Sequence, residues 1–85
     1  MVGKRRKLRN RIMSGESDRN IPFAPLRNLL RHYGFEERIS GSHHTFTRED
    51  VPEILVLQAT KEATAKPYQL KQVRELLARY KIPSE

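Results

Sequence analysis

The residues best suited to chemistry lie in Gly41-Ser42-His43-His44-Thr45-Phe46, which holds two of the three histidines of the chain. Imidazole is the one side chain that ordinarily both takes and gives a proton near neutral pH. Two adjacent histidines on a strand diverge, and no Asp, Glu or Cys sits at metal-site spacing around them, so metal ligation is not expected. The chain has no cysteine, which removes disulfides and thiolate chemistry. Ser42 beside His43 matches no hydrolase dyad. There is no nucleotide-binding glycine loop and no paired-carboxylate site. Proton transfer by a lone imidazole is the chemistry left, and a plain surface histidine is the alternative.

Position decides between the two histidines. Side chains alternate faces along a strand. Phe46 is the large apolar residue of this stretch and is expected to face the core. His44 shares its parity and should lie on that side, partly buried and bonded to its surroundings. His43 falls with Thr45 on the other face, just after the Gly41-Ser42 turn.

The elements around this turn read in order. Leu26, Leu29, Leu30 and Tyr33 make one stripe of a helix over residues 23–33, with Pro25 in its first turn and Gly34 at its C-terminal cap. His32, in its last turn, reads as a surface residue. Phe35 to Ser40 alternates as a short strand, and His43 to Arg48 forms a second, so the two make a hairpin. Glu49-Asp50-Val51-Pro52 is expected to break the chain. Ile54-Leu55-Val56-Leu57 within residues 53–58 then supplies a third strand, covered on both faces or on one. A polar loop over residues 59–65 follows. Lys66-Pro67-Tyr68 opens a last helix whose stripe is Leu70, Val73, Leu76, Leu77 and Tyr80, and which Pro83 ends. The expected fold is α+β, a two-layer sandwich of order α-β-β-β-α. Its three-stranded antiparallel sheet carries both helices on one face and leaves the other open.

The chain has 85 residues, enough for one small domain, with 17 basic and 10 acidic residues and a formal charge of +7. Lys4, Arg5, Arg6, Lys7, Arg9, Arg11 and Arg19 stand against only Glu16 and Asp18 in residues 1–22. That segment reads as a basic arm and linker attached to a nearly balanced domain at 23–85. Leu8 and Ile12, four apart, allow either a short docked helix or an arm that orders only on a partner. Such an arm favours polyanions through phosphate contacts. No apolar run approaches a membrane span and no secretory leader is evident, so a cytoplasmic protein with no membrane association is expected.

The stretch from Phe23 to Tyr80 resembles the HicA family of bacterial toxins from type II toxin–antitoxin systems. Three features carry the resemblance: Tyr33-Gly34-Phe35 leading into the hairpin, Gly41-Ser42-His43 with Phe46 three positions on, and Lys66-Pro67-Tyr68-Gln69-Leu70-Lys71-Gln72-Val73-Arg74. The resemblance implies a fold like the double-stranded-RNA-binding domain, metal-independent cleavage of mRNA without a cofactor, and neutralisation by a HicB-like antitoxin. The family's catalytic histidine matches His43. The substrate-contacting residues expected around it are Ser42, Arg48, Lys66, Tyr68, Lys71 and Arg74, with the arm gripping more distant phosphates; the alternatives are core packing for Tyr68 and a solvated helix face for Lys71 and Arg74. The chain departs from the compact members in its basic extension, in Gln58-Ala59-Thr60-Lys61-Glu62 after the third strand, and in His44 as a second proton carrier. The rival readings are a non-catalytic RNA-binding module of the same fold and a pure interaction protein that docks a partner on the open sheet face.

Overall fold

A computed structural model of the chain describes residues 3–16 and 18–84. Met1, Val2, Glu85 and Ser17, where the expected linker begins, lie outside the described residues. The elements are α1 (Lys4–Ser14), α2 (Phe23–His32), β1 (Glu36–Ser40), β2 (His43–Arg48), β3 (Val51–Leu57) and α3 (Pro67–Arg79). The strands form one antiparallel sheet in the order β1-β2-β3. Leu26, Leu29 and Leu30 of α2 share one core with Leu70, Val73, Leu76 and Leu77 of α3 and with Phe46, Leu55 and Leu57 of the sheet. The helices therefore lie on one face of the sheet, consistent with the double-stranded-RNA-binding-domain arrangement.

The open face is set by register. Arg38, Thr45 and Val56 stand side by side across the three strands. Ile54 and Val56 are 61% and 45% exposed, whereas Leu55 and Leu57 are buried. The apolar run of β3 is thus covered on one side only.

Backbone geometry at three glycines fixes the ends of the elements. Gly34 (φ 91°) closes α2, and the Phe35 N–H returns to the Leu30 carbonyl at 3.1 Å while the Gly34 N–H reaches Arg31 at 3.0 Å. This paired bond satisfies two orphan carbonyls and turns the buried Phe35 into the core. Gly15 (φ 72°) ends α1 in the same left-handed region. Gly41 (φ 58°) occupies the first central position of the two-residue turn between Ser40 and His43. A positive φ there suits the twist of a hairpin.

Two sequence expectations need correction. Val51 and Pro52 belong to β3 rather than to a break, because Glu49 and Asp50 alone make the turn and Val51 pairs with Arg48. Pro52 is tolerated because β3 is an edge strand. The segment before α2 is not only a polar connector. Ile21 is fully buried, its carbonyl accepts the Ala65 N–H at 2.8 Å, and the Phe23 N–H donates to the Ala63 carbonyl at 2.9 Å.

Of the two readings left open for residues 4–13, the docked helix is the one observed. Leu8 and Ile12 are buried, and α1 packs against α2 and α3. Its C-terminal end is tied down by Arg74, whose guanidinium donates to the Ile12 carbonyl at 2.8 Å and pairs with Asp18 at 3.2 and 3.3 Å.

Candidate active site

His43 begins β2 and is exposed, one residue past the Gly41-Ser42 turn. Thr45, two residues on, belongs to the open face, and His43 shares its parity. Pairing of His44 with Leu57 and Thr45 with Val56 sets the register of β2 against β3. One further step along that ladder brings Gln58 opposite His43.

Gln58 is the organising residue of this corner. Its side-chain carbonyl accepts a hydrogen bond from the Lys66 ammonium at 3.4 Å, and its amide N–H donates to the Ser42 hydroxyl at 3.0 Å. The direction follows from chemistry, since an ammonium only donates and so faces the carbonyl end of the amide. The Ser42 oxygen accepts, which leaves its own O–H free to donate outward. Gln69 extends the chain of contacts. It is 3% exposed, its side-chain carbonyl accepts the Gln58 backbone N–H at 3.2 Å, and its amide N–H reaches the Tyr68 hydroxyl at 3.5 Å. Tyr68 is 60% exposed, so its ring faces solvent rather than the core.

Lys66 is the N-cap of α3 and Pro67 its first helical residue. The first turn carries no side-chain cap and no acid. The dipole end of α3 and the Lys66 ammonium therefore add positive potential at one place, which favours an anion there.

The structure thus gathers Ser42, Lys66 and Tyr68 around the end of the sheet where His43 stands. Lys71 lies on the exposed side of α3, one turn beyond Tyr68. Arg74 is engaged by Ile12 and Asp18. Arg48 is at the far end of β2, about 16 Å from His43 at the usual strand rise. There its Nε pairs with Asp50 at 2.8 Å and its guanidinium lies 5.9 Å from the centre of the Phe35 ring.

His44 is placed differently from His43. Its Nδ1 is 2.8 Å from a carboxylate oxygen of Glu37, its ring stands edge-on to Phe23 at 5.0 Å, and its side chain is 14% exposed. Glu37 is 5% exposed and accepts two hydrogen bonds from Arg27, at 2.6 and 3.1 Å, with Arg31 at 3.6 Å. The bond from Arg27 is the main cause that holds the Glu37 carboxyl below its ordinary value, and the contact with His44 works in the same direction. Burial opposes both.

Sequence reasoning missed Gln58, Gln69 and the Arg27–Glu37–His44 cluster. Glu37 left a trace, since it shares strand parity with Phe35 and Ile39 and so puts an acid on the core side. Gln58 left almost none, because a neutral amide shows in neither charge nor hydrophobic pattern. Among the described residues, no group of three or more His, Cys, Asp or Glu side chains is arranged to hold a metal ion, and no helix is long and apolar enough to cross a membrane.

A family model described as the HicA toxin of bacterial toxin–antitoxin systems matches residues 26–78. No curated protein and no solved structure gave a significant match. The family match runs from α2 into α3, includes His43, Gln58 and Lys66, and leaves α1 outside.

Proposed function

The chain belongs to the HicA family of toxins from bacterial toxin–antitoxin systems, and from that premise we propose that it is a metal-independent endoribonuclease that cleaves mRNA with His43 as its general base. His43 takes the proton of a ribose 2′-OH. The 2′-oxygen attacks the adjacent phosphorus, the bond to the 5′-oxygen breaks, and that oxygen takes a proton from solvent water while His43 returns its own to solvent. The products are a 2′,3′-cyclic phosphate and a free 5′-hydroxyl. The nucleophile comes from the RNA, so the protein needs only a base, donors and cations. A positioned base of this kind contributes roughly 10²–10⁴-fold.

The single observation that carries this reading is the exposed His43 at the corner where Gln58 links Ser42 to Lys66. In the proposal, the Lys66 ammonium and the Ser42 hydroxyl stabilise the negative charge that grows on the phosphorane oxygens. Tyr68 offers a ring for a neighbouring base to stack on. Lys71 extends the cationic surface along α3. His44, bonded to Glu37 and packed on Phe23, holds the start of β2 in place. Arg48 and Arg74 act at a distance from the reacting phosphate, through the fold.

A HicB-like antitoxin is the proposed neutralising partner, covering His43 and the cations near it. Residues 1–22 are an accessory to the family domain at 23–85. Inducing the His43→Ala variant in a bacterial host tests the reading, with loss of growth arrest and of RNA decay as the expected result. Growth arrest that persists at the wild-type level would remove His43 from the reaction.

A further inference from the structure

We propose that α1 is a second RNA-contact surface, whose lysines and arginines hold phosphates of the strand that flanks the bond cut at His43. The location of the cut rests on the ribonuclease reading above, whereas the contact itself does not.

Unpaired charge is the first ground. Lys4, Arg5, Lys7 and Arg11 are exposed and meet no carboxylate among the described residues. Arg9 is turned to the Tyr33 hydroxyl at 3.2 Å and to its ring. In contrast, Arg27, Arg31, Arg48, Arg74 and Arg79 each lie within ion-pair distance of an acid. Arg19, Arg38 and four lysines elsewhere also meet no acid among the described residues, but they are scattered over the rest of the chain, whereas α1 carries Lys4, Arg5, Lys7, Arg9 and Arg11 within one helix.

Their placement also works against folding. The first turn of α1 contains no acid. Cations there oppose the helix dipole, and Lys4 and Lys7 repel at i, i+3. Helix stability therefore does not account for the pattern. A polyanion would reverse the sign of every one of these terms.

The helix is nevertheless held in place. Leu8 and Ile12 are buried, and Arg74 ties the Ile12 carbonyl to Asp18. The Arg74 guanidinium packs so closely on Gly15 that a Cβ there would come within 3.3 Å of it. A ligand would meet a surface already ordered, without the cost of folding an arm.

Finally, α3 links this surface to the proposed centre. Tyr68, Lys71 and Arg74 follow one another at i, i+3 and i+6, a span of about 9 Å, and α1 adds about 15 Å from Ser14 to Lys4. A strand that reaches α1 from the proposed centre must therefore extend several nucleotides beyond the bond cut. The substrate class is then an RNA segment of several nucleotides or more, and a dinucleotide would miss α1.

The test uses the full chain in a His43→Ala background, so that the RNA stays intact. Binding of a 20-nucleotide RNA is followed by fluorescence anisotropy between 50 and 200 mM salt, with and without Lys4→Gln, Arg5→Gln and Lys7→Gln together. We expect Kd to rise at least tenfold at 100 mM salt and the slope of log K against log salt to fall by about 2, from roughly 0.7 per charge. An unchanged Kd and slope would overturn the proposal, as would an effect on duplex DNA with none on RNA. With His43 restored, the triple substitution should lower kcat/KM at least tenfold more on the 20-mer than on a dinucleotide, and equal losses would also overturn it. If no form of the protein cleaves RNA, the ribonuclease reading fails while the binding comparison still judges α1.

Discussion

His43 and His44 are neighbours in the chain and differ in everything that bears on proton transfer. His44 is enclosed by Glu37 and Phe23, while His43 stands exposed at the turn. Strand parity separates them, and parity was readable from Phe46 alone. The supporting amides were not readable, because a glutamine near the end of an apolar run carries no pattern. Gln58 can nonetheless be tested. Gln58→Leu cuts the link between Ser42 and Lys66 and is expected to lower RNA cleavage about tenfold, as expected for a lost hydrogen bond of about 1.4 kcal/mol to a charged group. Gln58→Glu keeps an acceptor for Lys66 and should lose less, which distinguishes positioning from mere packing. Glu37 makes a prediction about pH. Its folded carboxyl is depressed by Arg27 and then by His44. The stability it contributes is therefore present above its ordinary value of 4.5 and is lost as pH falls through the folded value below that. Urea unfolding followed against pH should show a steeper loss below pH 4.5 for the wild type than for Glu37→Gln.

At the scale of elements, sequence patterns gave helices and strands close to their observed limits wherever one apolar stripe or one alternation dominated. The stripes of α2 and α3 and the hairpin of β1 and β2 are of this kind. Legibility failed where a distant partner decides. Pro52 reads as a breaker until β3 is known to be an edge. Two apolar residues could not settle whether α1 docks, since the contact that fixes its end comes from Arg74, far along the chain. The end of α3 carries a further prediction. Lys81 lies at φ 52°, the left-handed position, and the Ile82 N–H returns to the Leu77 carbonyl at 3.0 Å. A side chain at such a position costs about 1 kcal/mol or more. Lys81→Gly should therefore raise stability by about 1 kcal/mol, a change that thermal unfolding would register as a higher Tm.

For the whole molecule, one core serves three helices and a sheet that is bare on one face. Ile54 and Val56 on that face remain in solvent, and α1 carries the densest run of cations without acids. In the proposals above, antitoxin and RNA meet at His43, and α1 adds a second charged surface away from that corner. The division of charge between the basic extension and the family domain was legible from composition. The rigid seat of that extension was not, because it depends on the Arg74–Asp18–Ile12 contacts. The most direct measurement is of product ends. Purified wild-type protein and His43→Ala are each incubated with a 5′-labelled RNA in EDTA, and the 3′ ends of the fragments are identified. Wild-type fragments ending in a 2′,3′-cyclic phosphate, with cleavage by His43→Ala reduced at least 100-fold, are the expected result. Equal cleavage by both proteins, or stable binding of RNA with no cleavage by the wild type, would contradict His43 as the reaction centre.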